Sequence, residues 1–243
     1  MGDLVLGIET SCDDTSVALV DQQGKVTAIE TVSQYEVHSE FGGVYPELAS
    51  RAHLEAILPL IERVMTKAKV TSSDLQAIGV TRGPGLMGSL LVGLSTAQAL
   101  GMAWKIPTYG INHLRGHIRS VDLEKKRLTY PALILLVSGG HTLLAYLKDQ
   151  HSYKLIGTTR DDSVGECYDK VARTLGLGMP GGPAIDLMAT IGTACIKFPR
   201  PMIKSGYEFS FSGLKSSVGR YVEMHTEFNV NDVAASFVES CLD

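Results

Sequence analysis

Cysteine is scarce and scattered in this sequence. The four cysteines stand at positions 12, 167, 195 and 241, and no two of them form a CxxC pair. This scatter argues against a zinc finger or a disulfide scaffold and is typical of a reduced cytosolic protein. The sequence also lacks an apolar run of the roughly 20 residues that cross a bilayer, and its start lacks the patterns of a signal or transit peptide. We therefore expect a cytoplasmic protein with no membrane association.

A surplus of basic charge is missing as well. The 22 lysines and arginines are outnumbered by 26 aspartates and glutamates, which gives a formal net charge of −4. A chain with this balance has no general attraction for polyanions, so any contact with nucleic acid must be local or shared with a partner. Its 243 residues, 44% of them hydrophobic, are enough for one large domain or two small ones.

Two stretches of the chain share one layout, in which apolar runs flank a turn of small hydroxyl and glycine residues. The first covers residues 4–20, with its turn at 10–15, and the second covers residues 132–147, with its turn at 138–142. Each turn is either an ordinary hairpin turn or a place where hydroxyl and backbone N–H groups face phosphate oxygens. Helical and strand patterns alternate between the two stretches, which predicts an α/β architecture.

The most distinctive pair of histidines is His113 and His117. They are four residues apart, so a helix would place both imidazoles on one face, where they can bind one metal ion. A chance pair on a surface helix is the alternative. A zinc metalloprotease needs a glutamate directly after the first histidine as general base, and that position is Leu114. Protease activity is therefore disfavoured, and the metal would organise a ligand instead of a water molecule.

Acidic residues and glycines cluster in the second half of the chain. Asp169 lies near the start of a predicted helix, where it either suits the helix dipole or accepts hydrogen bonds from a ribose. Asp186 follows the loop at 179–183, which is rich in proline and glycine, and has the same two interpretations. Residues 209–215 alternate aromatic and small side chains, which predicts a strand with hydroxyls on one face. Lys215 is a candidate for balancing phosphate charge.

These motifs together resemble one known family, the tRNA threonylcarbamoyladenosine transferases once described as O-sialoglycoprotein endopeptidases. The resemblance covers the whole chain, because the motifs occur in order along it. They are LGIETSCDDT at 6–15, TRGPGL at 81–86, the HxxxH of His113 and His117, LVSGGHT at 136–142, GE and DK within 165–170, PGGP at 180–183 and FSFSGLK at 209–215.

The resemblance implies an α/β fold of the actin-like ATPase class, with two ribonuclease-H-like domains and a nucleotide cleft between them. We expect the first domain at residues 1–118, with the HxxxH metal site, and the second at 119–243. Family members continue through an Asn that contacts the base and an Asp that supplies a third metal ligand, and neither block is present here. A helix predicted near residues 231–242 has no closing Gly, Lys or Arg, so we expect a second domain that is incomplete at its C-terminus.

The activity implied by the resemblance is transfer of a threonylcarbamoyl group from threonylcarbamoyl-adenylate to N6 of the adenosine beside the anticodon, in tRNAs that read codons beginning with A. The implied cofactor is one divalent metal ion, iron ahead of zinc, bound by His113 and His117. The implied partners are tRNA, a smaller paralogous subunit and an ATPase subunit. The adenylate would be held by Leu136, Val137, Ser138, Gly139, Gly140, Asp169, Gly182 and Asp186.

The resemblance assigns no catalytic base. From the residues themselves, Glu9 and Asp13 at the first turn are candidates for orienting the adenine amine or taking its proton, and both carboxylates are equally able to cap the turn. The metal and the hydroxyl-rich turns would polarise the carbonyl that the amine attacks, with AMP as leaving group. The alternative function is a catalytically weak paralogue or truncated chain that serves as a nucleotide-binding scaffold subunit.

Overall fold

The computed structural model describes residues 2–39, 41, 43–123, 128–204 and 206–242. The chain divides into two compact units, Met1–Arg127 and Leu128–Asp243. The α-helix His113–Ser120, which spans the expected boundary after residue 118, lies wholly in the first unit.

The first unit is an α/β domain built around one mixed sheet. Its strands are β1 Leu4–Glu9, β2 Asp14–Asp21, β3 Val26–Ser33, β4 Leu75–Gly83 and β5 Thr108–Asn112, and its helices are α1 Tyr35–Ser39, α2 Pro46–Ala68, α3 Met87–Trp104 and α4 His113–Ser120. The sheet order is β3-β2-β1-β4-β5. Strand β1 pairs antiparallel with β2 and parallel with β4, and β4 pairs parallel with β5. The carboxyl ends of β1, β4 and β5 therefore meet at one edge of the sheet.

The core of the first unit forms where α2 covers this sheet. The apolar residues of α2 recur at helical spacing, and Ile57, Leu60 and Val64 are almost completely buried. They pack with Leu6 of β1 and Ile78 of β4. Each such side chain contributes about 1.5–3 kcal/mol by leaving water, so this cluster fixes the strands whose ends carry the polar residues described below.

The second unit repeats the three-stranded beginning of the first. Its strands, β6 Ala132–Val137, β7 Thr142–Leu147 and β8 Tyr153–Thr158, form an antiparallel sheet in the order β6-β7-β8, as β1, β2 and β3 do. The predicted repetition is thus confirmed. Its helices are α5 Val164–Thr174, α6 Gly181–Ile191, α7 Ser212–Met224 and α8 Val230–Leu242. These helices share a core around Phe237, Leu214 and Ile185.

Two local predictions in the second unit are wrong. Residues 209–215 are not a strand, because Phe209 makes only an isolated bridge to Thr159 and α7 begins at Ser212. Asp186 is not an N-terminal charge, because it lies beyond the first turn of α6. Lys215, the candidate for balancing phosphate charge, forms an ion pair with Asp162, with its Nζ 2.5 Å from Oδ2 of that residue.

None of the helices in the described ranges combines the length and the hydropathy that a bilayer crossing requires.

Candidate functional site

The candidate site of the first unit lies where the parallel strands end. Glu9 is the last residue of β1, Thr81 lies near the end of β4, and His113 begins α4 directly after β5. Oε2 of Glu9 accepts a hydrogen bond from the Thr81 hydroxyl at 2.6 Å and lies 3.1 Å from Nδ1 of His113. Oε1 of Glu9 accepts from the backbone N–H of Ser11 at 2.5 Å. The sheet topology thus gathers residues that are far apart in the sequence.

These contacts determine the charge of Glu9. Burial raises the pKa of its carboxyl group, but hydrogen bonds from His113, Ser11 and Thr81 outweigh burial and lower the pKa to about 2. A carboxylate with so low a pKa is a poor proton acceptor near neutral pH. The geometry therefore favours an orienting role for Glu9 over that of a general base.

The two predicted metal ligands converge. On α4 the Nε2 atoms of His113 and His117 are 3.0 Å apart, and the rings meet edge to face with centroids 4.4 Å apart. The protonated Nδ1 of His113 donates a hydrogen bond to the ionised Glu9, which leaves a lone pair on Nε2 of that ring. Burial, and next the neighbouring His113, lower the pKa of His117, which favours its neutral, metal-binding form.

The donor set fits a metal ion in part. Two neutral imidazoles on one helix face, one of them oriented by a carboxylate, match the way proteins present histidine ligands. Among the described residues, no group of three His, Cys, Asp or Glu side chains could hold a metal ion. His113 and His117 would therefore supply two ligands, and the remaining positions would be filled by other groups.

The turn after β1 is fastened to α3. The hydroxyl of Thr10 donates to the carbonyl of Ser89 at 2.8 Å, and the N–H of Leu86 donates to the carbonyl of Ser11 at 2.8 Å. A Cβ at Gly85 would lie 2.5 Å from that same Ser11 oxygen, so only glycine allows this approach. The TRGPGL motif thus has a structural reason: its last glycine lets α3 begin against the turn.

Asp13, the other predicted carboxylate, lies in a different environment. Its backbone carbonyl accepts from the N–H of Gln34 at 3.0 Å. Burial first, and next the Asp13 carboxylate beside it, raise the pKa of the Cys12 thiol to about 12. The thiol is therefore not a nucleophile near neutral pH. The structure groups Glu9, and not Asp13, with the histidines.

The second predicted turn, in the second unit, rests against the start of α5. Within the turn, the N–H of His141 donates to Oγ of Ser138 at 3.0 Å. From the residue before α5, Oγ of Ser163 donates to the carbonyl of Gly139 at 2.5 Å. A Cβ at Gly165 would lie 2.6 Å from the Ser138 carbonyl oxygen, so the helix and the turn are in close contact. A Cβ added at Gly139 or Gly140 would meet nothing within 4 Å. The backbone of these two glycines is therefore open on one side.

Asp169 holds the proline-glycine loop in place. Its Oδ1 accepts a hydrogen bond from the N–H of Gly181 at 2.8 Å, at the beginning of α6. The neighbouring Gly182 is open, since a Cβ there would meet nothing within 4 Å. The carboxylate thus acts on the loop through one oxygen, which is a role that the sequence did not indicate.

A cavity of about 660 Å³ lies next to this loop, within the second unit. Three of the eight residues expected to bind the adenylate line it, namely Val137, Gly182 and Asp186. Leu136 is buried, and Leu136, Ser138, Gly139, Gly140 and Asp169 are outside the set that lines the cavity. The other walls are largely apolar and include Tyr168, Tyr207 and Phe209.

Sequence reasoning missed the carboxylate pair that fixes one wall of the cavity. Asp161 accepts hydrogen bonds from the Ser210 hydroxyl at 2.6 Å and from the Phe211 N–H at 2.8 Å. Asp162 lies between two ammonium groups, those of Lys170 and Lys215. The consecutive acids before a helix were a visible signal, but nothing in their spacing connects them with residues about fifty positions later.

Comparison with known proteins decides the family. Residues 25–243 match the family model described as tRNA N6-adenosine threonylcarbamoyltransferase. This chain belongs to that family. A protein of this name from Caldicellulosiruptor bescii is 49% identical over 239 residues, which cover 96% of this chain and 71% of the relative. A protein of the same name from Bacillus thuringiensis (strain Al Hakam) is 48% identical over 245 residues, which cover 99% of this chain and 71% of the relative.

A solved structure supports the fold. The activator of 2-hydroxyisocaproyl-CoA dehydratase from Clostridium difficile, solved with bound ADPNP, is 15% identical, and the match covers 99% of this chain and 72% of that one with a TM-score of 0.54. The expected α/β, actin-like ATPase class is therefore confirmed, as is the predicted family.

Proposed function

We propose that this chain transfers a threonylcarbamoyl group from threonylcarbamoyl-adenylate to N6 of the adenosine beside the anticodon, in tRNAs that read codons beginning with A. Membership of the transferase family carries this proposal. The convergence of Glu9, His113 and His117 at one sheet edge supports it, because the residues that the family motifs supply are also the residues that meet in space.

The first unit provides the metal site in this proposal. The family is generally metal-dependent, and His113 and His117 would hold the divalent ion, iron ahead of zinc, through Nε2. When bound, the metal supplies Lewis-acid polarisation of an oxygen on the transferred group. Glu9 keeps the His113 ring oriented, and Thr81 and Ser11 keep Glu9 ionised.

The second unit provides the adenylate site. The open backbone at Gly139 and Gly140 suits the phosphate, because peptide N–H groups at such a turn attract anions without a lysine. The cavity bounded by Val137, Gly182 and Asp186 suits the nucleoside, and the second oxygen of Asp169 is a candidate ribose acceptor.

Partner proteins would complete the enzyme. On α2, Leu54 and Leu58 are more than half exposed and lie one helical turn apart, and Met87 and Leu91 repeat this pattern on α3. Exposed apolar pairs on two packed helices are typical of a protein interface. We propose that the smaller paralogous subunit docks here, that an ATPase subunit joins the assembly, and that tRNA binding is shared, since the chain is acidic overall.

A scaffold role is the second candidate function. The observation that favours it is the two-histidine donor set, which lacks a third His, Cys, Asp or Glu ligand in the described ranges. A scaffold would bind the adenylate and its partner subunits without transferring the group.

Reconstitution distinguishes the two functions. The purified chain is mixed with its partner subunits, pre-formed threonylcarbamoyl-adenylate, ferrous iron and unmodified tRNA, and the digested nucleosides are analysed by mass spectrometry. The proposal predicts threonylcarbamoyladenosine. Binding of the adenylate without any modified nucleoside would contradict transfer and support the scaffold.

A further inference from the structure

A buried histidine outside the metal pair holds the turn that carries the candidate site. His53 lies in the middle of α2 and is completely buried. Its Nδ1 is 2.8 Å from the Thr15 hydroxyl, and its Nε2 is 3.0 Å from the backbone carbonyl of Cys12. Both ring nitrogens therefore contact the turn after β1 and the strand that follows it.

These partners determine the tautomer of the ring. A backbone carbonyl only accepts, so Nε2 of His53 must carry a proton and donate it to Cys12. Nδ1 is then the acceptor for the Thr15 hydroxyl. Burial lowers the pKa of His53, which agrees with a neutral imidazole in this position.

The turn after β1 also needs a contact on the side that faces α2. α3 fastens Thr10 and Ser11 through Ser89 and Leu86, but Cys12 is the next residue and its carbonyl faces α2. Without the His53 contact, Cys12 loses its link to α2, and the segment between Ser11, held by α3, and Asp13, whose carbonyl accepts from the Gln34 N–H, can shift. Such a movement would displace the Ser11 N–H from Glu9.

We propose that His53, as the neutral Nε2–H tautomer, is a positioning residue that fixes the turn at residues 10–13 and thereby keeps Ser11 and Glu9 aligned on His113. It acts through the Cys12 carbonyl and not on any substrate. The proposal concerns the geometry of the turn in this chain, so its tests do not depend on whether the chain transfers a threonylcarbamoyl group.

The tautomer is tested directly by NMR. Long-range ¹H–¹⁵N spectra of the full chain at pH 7 report the protonation of both ring nitrogens of each histidine. We expect the His53 signals of a protonated Nε2 and an unprotonated Nδ1. An Nδ1–H tautomer or an imidazolium at this position would overturn the proposal.

The positioning role is tested by substitution. His53→Leu removes both hydrogen bonds, and His53→Gln keeps one donor near Cys12. We expect the amide protons of Ser11 and Leu86 to exchange with solvent roughly ten-fold faster in His53→Leu, with the ring signals of His113 shifted, and we expect partial rescue of both in His53→Gln.

A matched control separates positioning from stability. Ile57 lies four residues after His53 on α2 and is buried in the core. Its apolar side chain takes no part in the hydrogen bonds of the turn after β1. Ile57→Ala should lower the melting temperature without moving the His113 ring signals. If Ile57→Ala reproduces the His113 shift of His53→Leu, the effect is a general loss of stability and the proposal is wrong.

A milder variant covers the case in which His53→Leu does not fold. Thr15→Val removes only the hydroxyl that donates to Nδ1 and nearly preserves the side-chain shape. We expect faster exchange at Ser11, by roughly three-fold or more, because Nδ1 is left without its donor. Unchanged exchange at Ser11 together with unchanged His113 signals would overturn the proposal.

Discussion

Oε2 of Glu9 lies 3.1 Å from Nδ1 of His113, although the two residues are 104 positions apart in the sequence. This contact joins the first strand of the chain to the helix that carries the HxxxH pair. It explains why a glutamate and a histidine from separate motifs belong to one site. It also gives Glu9 the role of orienting His113, so that another group must accept the proton in the reaction.

Replacing Glu9 with glutamine tests this contact. Glu9→Gln keeps the size of the side chain but removes the charge that orients His113. We expect metal affinity to fall by roughly 10- to 100-fold, the usual effect of losing a carboxylate behind a histidine ligand. Calorimetric titration with ferrous iron or zinc measures the change. Glu55→Gln, an exposed position on α2, is the control and should leave the affinity unchanged.

Gly85 tests the close contact between the start of α3 and the turn after β1. A Cβ there would lie 2.5 Å from the Ser11 carbonyl oxygen, so Gly85→Ala must displace either the turn or α3. We expect a loss of about 1–3 kcal/mol in the free energy of unfolding, measured by urea denaturation. Gly219→Ala in α7 is the control, because its Cβ would meet nothing within 4 Å and alanine favours a helix by about 0.5–1 kcal/mol.

The core position Ile57 tests the packing of α2 on the sheet. Ile57→Ala leaves a cavity in a cluster from which water is excluded, so we expect a loss of about 2–5 kcal/mol. The neighbouring Leu58 is more than half exposed, and Leu58→Ala should change the free energy of unfolding by about 0.5 kcal/mol or less. Equal effects at the two positions would contradict the orientation of α2.

Asp161 gives the fold a dependence on pH. Burial raises the pKa of its carboxyl group, but hydrogen bonds from Ser210, Phe211 and Ser212 outweigh burial and lower the pKa below the ordinary value of 3.8. The carboxylate therefore stabilises the folded state above the unfolded-state pKa, and this stabilisation disappears as the pH falls below that value. Asp161→Ala should destabilise the protein at pH 7, and its difference from the wild type should shrink as the pH falls below 3.8. A constant difference between the two proteins across this range would contradict the assignment.

Much of the local structure could be predicted from the sequence. The apolar spacing of α2 and the short apolar runs of β1 and β6 are periodic signals that a single chain displays. The histidine pair was predictable for the same reason, since a separation of four residues already defines one helix face. These features depend on neighbours along the chain.

Local sequence patterns do not predict contacts between residues that are far apart along the chain. Nothing in the local pattern connects Asp161 with Ser210, yet Asp161 accepts hydrogen bonds from Ser210 and from the N–H groups of Phe211 and Ser212, directly where α7 begins. The alternation at 209–215 is too short to predict a strand reliably, and it gives no sign of the hydrogen bonds to Asp161. The ion pair between Lys215 and Asp162 is equally hidden in the sequence, because only the fold brings the two residues together.

The central claim is that His113 and His117 hold a metal ion for threonylcarbamoyl transfer. The most direct measurement is the yield of threonylcarbamoyladenosine in tRNA, determined by mass spectrometry, for the wild-type chain and for the variant His113→Ala/His117→Ala, each with partner subunits and with its metal content measured in parallel. We predict modified tRNA and bound metal for the wild type, and neither for the variant. A variant that retains its metal and modifies tRNA as the wild type does would contradict the account.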